Sequence, residues 1–249
     1  MVNLSNILLV MAIDIAGMAV AFPVGVGLAL VLGVATTYLS TRVGNVPMLS
    51  LGVAAIIVAI VLDALAYKRL AGAGHKTPIK GLASAIASAV LMGCFYKYVV
   101  QALGQIGPVA KTLEAGKLSL YTAMVLFSAG MSLSSLLWNS LMMIKPLTGQ
   151  PVPFSDYFTK GNVRLHLVGI LGGMIWNAGM SFSILASSAA GTALSYGLAQ
   201  GATMIGACWG MFIWKEFRGA PRGTNGLLAA MFLFYLIGLA VLILSKLNP

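Results

Sequence analysis

The side chains best suited to chemistry in this 249-residue chain are polar but uncharged. Asn177 and Ser181 stand four apart, as do Tyr196 and Gln200, and Thr203 follows Gln200 by three. At helical spacing each set lines one face. Trp176 adjoins the first set. Asn and Gln supply donors and acceptors together, and an indole supplies a flat apolar face with one N–H. That mixture suits reversible binding of a small polar solute, such as a sugar or an amide, whose polar groups alternate with C–H faces. It does not suit bond breaking. HExxH and GxSxG are absent, and five acidic residues leave little for general acid–base work, so an enzyme is not expected. Cys94, Cys208, His75 and His166 are too scattered for a metal site or a disulfide framework, and no cofactor is expected.

Further candidates lie elsewhere. Asn3 and Asn6 are one turn apart. Tyr96 either lines a cavity or anchors at an interface, and Trp138 beside Asn139 offers one more lining position. Hydrogen bonding between helices uses the same residue types, and that reading stands beside solute binding for the whole set. Two charges fall within apolar runs. Asp14 lies about 11 residues into the first run, roughly 16 Å deep, and Lys97 enters the fourth from its outer end, roughly 10 Å deep. They are expected to form a buried ion pair, or Asp14 to take up a coupling proton; the alternative is a snorkelling Lys97 and a hydrated Asp14. Asp63, next to Tyr67, Lys68 and Arg69, reads as a boundary charge.

The elements that carry these residues follow from composition. Only 8% of the chain is charged and 59% is hydrophobic, with mean hydropathy +0.97. A soluble domain carries roughly 25% charge. This balance argues against a soluble enzyme, a disordered chain and a nucleic-acid binder, and for an all-α integral membrane protein in a lipid bilayer. Eight runs approach the length of a span: 4–21, 24–40, 48–67, 81–104, 118–143, 165–187, 191–214 and 226–246. Pro23 is expected to divide the first two. The segment 144–162, with three prolines, is the longest connection, and Phe154, Tyr157 and Phe158 suggest an interfacial turn within it. Ten of the fifteen cations fall on one side of this arrangement and four on the other, Lys97 being the last. The richer side is expected to face the cytoplasm, with both termini of the chain extracytoplasmic. Gly197, Gly201, Gly206 and Gly210 form GxxxG patterns that permit a homodimer without requiring one.

An offset of 174 residues lays AGMAVAFPVGVG (16–27) over AGTALSYGLAQG (190–201), setting Phe22 on Tyr196 and Asn3 on Asn177. A repeat at this offset divides the chain into a three-helix half, 1–67, and a five-helix half, 81–249, of opposite orientation. The expected whole is a five-plus-five inverted repeat, with a further helix pair before Met1.

NxxNxLL (Asn3 to Leu9), AFPVGVGLAL (21–30), LMGCFYKYV, GGMIWNAG (172–179) and WKEF (214–217) together resemble the drug/metabolite transporter superfamily. Within it the ureide permease and glucose/ribose-uptake branches are most similar. The resemblance implies a secondary permease moving a small polar solute by alternating access, coupled to protons or sodium, with a bacterial cytoplasmic membrane as its expected location. The rival reading is a non-transporting membrane subunit or scaffold.

Overall fold

The computed structural model describes residues 1–41, 45–70, 79–104, 116–147, 149–190, 192–199 and 201–247. Among these the chain is overwhelmingly helical, because lipid offers no partner to a free backbone N–H or C=O. Helix α1 is Val2–Ala16. Helix α2 covers 18–41 and runs through Met18–Ala21, a π-helical segment Phe22–Gly27, and Leu28–Thr41. Then come α3 (Val46–Leu70), α4 (Ile79–Ala102), α5 (Leu120–Ile144), the short α6 (Phe154–Thr159) and α7 (Val163–Ala190). Helix α8 (Thr192–Ala199) and α9 (Ala202–Cys208, passing into a π-helical segment Trp209–Ile213) precede α10 (Thr224–Leu247). Side-chain caps start several of them: Asn45 Oδ1 accepts from Met48 N–H (3.1 Å), Ser119 Oγ from Thr122 N–H (3.1 Å) and Asn162 Oδ1 from Leu165 N–H (2.8 Å).

Among the described residues six stretches are long and apolar enough to cross a membrane: Phe22–Leu39, Val46–Leu70, Ile79–Ala102, Leu120–Ile144, Val163–Ser188 and Thr224–Ser245. Val2–Ala16 and Ala202–Ile213 are apolar but shorter. Two of the eight expected spans, the first and the seventh, therefore fall short of the crossing length. The first ends early because the corner between α1 and α2 is at Gly17 (φ 83°, ψ 160°) and not at Pro23. Only glycine reaches that backbone conformation without strain. Pro23 sits inside α2, where the wider turns of Phe22–Gly27 accommodate its missing N–H. The seventh expected span is divided between α8 and α9.

The chain forms two compact units, residues 1–101 with 186–249, and residues 102–185. The discontinuous unit holds the main apolar cluster. Leu30 and Val34 of α2, Leu49, Ile56, Ala59 and Ala66 of α3, Ala207 of α9, and Leu228, Met231, Tyr235 and Leu242 of α10 build it. Helices α3 and α10 cross at two glycines. A Cβ at Gly52 would stand 3.0 Å from the Gly238 carbonyl, and one at Gly238 would stand 2.9 Å from the Gly52 carbonyl. Small residues permit this approach, and dispersion over the crossing replaces the hydrophobic drive that lipid cannot supply. In the second unit α5 and α7 expose most of their surface, and α6 exposes Phe154, Tyr157 and Phe158. Lys160 Nζ meets Asp156 Oδ2 at 2.6 Å one turn away.

Candidate functional site

In the discontinuous unit, the structure unites two of the tyrosines singled out by sequence. Tyr96 of α4 is fully buried and Tyr196 of α8 is 2% exposed, with ring centroids 4.8 Å apart. Phe95 packs edge-on against both. The Tyr196 hydroxyl donates between Met92 O of α4 (2.9 Å) and Ala29 O of α2 (3.2 Å), tying three helices together. Its ring lies flat over Gly33, where any Cβ would overlap it. Phe22 covers Gly206 in the same manner. The two contacts are reciprocal: the aromatic of α2 packs on a glycine of α9, and the aromatic of α8 packs on a glycine of α2. Because 22 meets 206 while 33 meets 196, α2 runs antiparallel to α8 and α9. Thr203, on α9, is fully buried, while Gln200 lies outside the described residues.

Helix α1 joins this unit through a pair of serines. Ser5 Oγ donates to Ser88 O (2.9 Å) and Ser88 Oγ donates to Ser5 O (2.9 Å), a reciprocal clasp between α1 and α4. Asn3 is buried two residues before it, and Asn6 is half-buried. Asp14 and Lys97 form no ion pair. Ile15 and Ala16 abut Gly81, so Asp14 stands level with the start of α4, and it is exposed. Lys97 is 16 residues further along α4, roughly 24 Å at the helical rise, with its ammonium 4.9 Å from the Tyr98 ring centroid. The Gly17 corner is the physical reason: it ends the first helix two residues after Asp14 and turns a mid-run charge into an end-of-helix one.

Sequence reasoning passed over two carboxylates that the structure makes prominent. Glu216 follows Lys215, whose φ of 55° swings the chain back after Trp214. Its Oε1 accepts from Met18 N–H at 2.9 Å, closing the open end of α2. Asp63 is fully buried on the face of α3 that carries Ala59 and Ala66, and neither carboxylate oxygen has a hydrogen-bond partner. It is buried within the unit and not exposed at the helix end. The available signal was helical phase: the small residues at 59 and 66 share its face.

In the second unit, α5 and α7 pair through polar and aromatic contacts. Ser128 Oγ donates to Asn177 Oδ1 (2.9 Å), and the Trp176 ring stacks on Phe127 with centroids 6.1 Å apart. Trp176 stays 37% exposed. Asn177, Ser181 and Trp138 are half-buried. The amide oxygen of Asn177 is thus used between helices, while Trp176 still presents ring surface outward. Among the described residues no group of three His, Cys, Asp or Glu could hold a metal.

These features define a polytopic α-helical integral membrane protein. The family described as Ureide permease matches residues 75–245, about two thirds of the chain, and the chain belongs to that family. Among curated proteins it is similar to Ureide permease 1 of Arabidopsis thaliana, 30% identical over 138 residues, which is 54% of this chain and 35% of the relative. Ureide permease 2 of the same plant is 28% identical over 131 residues, covering 52% and 32% respectively. The matches thus span about a third of each relative's length. No solved structure matches the chain.

Proposed function

We propose that the protein is a permease that carries a small polar solute of the ureide kind across the membrane by alternating access, coupled to a cation. The observation that carries this is the family match over residues 75–245, which contains four of the six membrane-length helices among the described residues. The side chains are compatible with such a solute. A ureide presents planar amide groups; the Trp176 face can stack on the plane, and the Asn177 amide N–H groups and Ser181 hydroxyl can bind its carbonyl oxygens. Trp138 belongs with this set, and Tyr96, Tyr196, Gln200, Thr203, Asn3 and Asn6 of the discontinuous unit are proposed separately as solute contacts. Tyr96, Tyr196, Thr203 and Asn3 are buried, so they meet solute only when helices part.

The reciprocal contacts support an inverted repeat. Phe22 and Tyr196 are 174 residues apart, while Gly33 and Gly206 are 173 apart. Exchanging α2 with α8 and α9 thus turns one aromatic-on-glycine contact into the other. Gly52 and Gly238 repeat the relation in α3 and α10, with Gly52 against Leu242 and Gly238 against Ile56. A two-fold axis of this kind lets one set of contacts open as its partner closes. The cation count supports an orientation with both termini of the chain extracytoplasmic.

The test is uptake by the full chain in liposomes, with radiolabelled allantoin and labelled sugars supplied separately, with and without a pH gradient. Saturable allantoin uptake that exceeds sugar uptake is the expected result. Folded protein that moves none of these solutes refutes the transport reading, and sugar uptake without allantoin uptake refutes the ureide assignment.

A further inference from the structure

We propose that Asp63 is the site at which this chain takes up and releases a proton inside the membrane. The proposal deepens the cation coupling put forward above and rests on that transport reading. Asp63 lies seven residues before the end of α3, roughly 10 Å inside the helix terminus. Its face of α3 is lined by Ala59 and Ala66, both members of the apolar cluster with Ala207, Leu228 and Met231. The register of the glycine crossing, Gly52 on Leu242 and Ile56 on Gly238, sets Met231 opposite Asp63 and Tyr235 opposite Ala59. Neither carboxylate oxygen finds a hydrogen bond in this setting. An ionised carboxylate held in an apolar interior without a partner is costly, so the group exists there as the acid or with a bound cation. A metal ion needs a shell of several oxygen ligands. Among the described residues no group of three His, Cys, Asp or Glu gathers there to supply such a shell, whereas a proton needs one carboxylate oxygen. The occupant that fits is a proton.

The charged and titratable groups around Asp63 sort by element. On α3 itself, Lys68 and Arg69 are exposed beyond it toward the helix end. The titratable side chains on the packed elements are Tyr235 on α10, Cys208 on α9 and Tyr38 on α2. From the turn after α9 comes the Glu216 carboxylate, which caps Met18. One proton binds as one O–H bond and departs as the same bond breaks, so no other reactant is required.

Infrared difference spectroscopy of the full chain in liposomes, between mildly acidic and alkaline buffer, tests this without transport. A carboxylic-acid C=O band that titrates is expected. It should vanish in Asp63→Asn, shift in Asp63→Glu and persist in Asp14→Asn and Asp156→Asn. Uptake of allantoin by Asp63→Asn should lose its stimulation by a pH gradient. No titrating band in the wild-type protein, a band that disappears with Asp14 or Asp156, or a stimulation that a sodium gradient replaces would each overturn the assignment. A titrating Asp63 band in a protein that moves no solute would refute the transport reading alone.

Discussion

Replacing Gly33 by Ala should damage this protein more than the symmetry-related replacement of Gly206. At both positions a Cβ would overlap an aromatic ring, Tyr196 in one case and Phe22 in the other. Overpacking of this kind costs about 1–3 kcal/mol. The rings differ in freedom. Phe22 has no polar tether, so it can tilt away. Tyr196 is held by its hydroxyl between Met92 O and Ala29 O and flanked by Tyr96 and Phe95. Moving it also sacrifices a buried hydrogen bond, a further cost of about 1–3 kcal/mol. Gly33→Ala should therefore cost about 2–6 kcal/mol against about 1–3 for Gly206→Ala. Gly130 on α5, with nothing within 4 Å of a new Cβ, is the control. There Ala should be neutral or stabilising by up to about 1 kcal/mol through helix propensity alone. Equilibrium unfolding in mixed micelles, titrated with a denaturing detergent and followed by circular dichroism, measures all three. The double variant Gly33→Ala/Tyr196→Leu supplies the cycle, since loss of the ring should make the alanine far less harmful. Equal costs at Gly33 and Gly206, or a double variant no better than the sum of its parts, would refute the idea that the hydroxyl fixes this ring.

Gly17→Ala should destabilise by about 1–3 kcal/mol, because φ of 83° with ψ of 160° is a glycine-only conformation; the same micelle titration reads it. Glu216→Ala should cost about 1–2 kcal/mol by uncapping Met18, while Glu216→Gln, which keeps the acceptor, should lose less than half of that. If Gln is as harmful as Ala, the cap is not what the carboxylate does. Trp176→Ala should raise the concentration for half-maximal allantoin uptake about tenfold or more, in line with roughly 1–3 kcal/mol for a lost stacking surface, and unchanged uptake would remove Trp176 from the solute path.

Much of the helical plan was legible in the residues, because continuous apolar runs of membrane length have few alternatives. The third, fourth, fifth, sixth and eighth expected runs lie within a few residues of α3, α4, α5, α7 and α10. The first corner was misplaced because proline is read as a break only when the helix keeps its ordinary register, and the π-helical segment at 22–27 does not. The fate of the charges was harder to read. Hydropathy measures how deep a residue lies in a run but not which way it points. Asp14 lay mid-run yet is exposed near a corner, whereas Asp63 lay near a basic end yet points into the cluster. The Tyr196 tether was hidden for another reason: its acceptors are backbone carbonyls, Met92 O 104 positions away and Ala29 O 167 positions away, and carry no residue signature.

The interruption of the larger unit has a consequence for synthesis. Residues 1–101 complete their unit with 186–249, so 84 residues of the intervening unit must be made first. At about 5–20 residues per second that delay is roughly 4–17 s. Through that interval α3 waits in the bilayer without α10, with Gly52 facing lipid and Asp63 lacking its apolar cover. A nascent membrane protein in that condition is a substrate for insertion chaperones and quality-control proteases. Slowing translation between residues 102 and 185 should lengthen that vulnerable period in proportion.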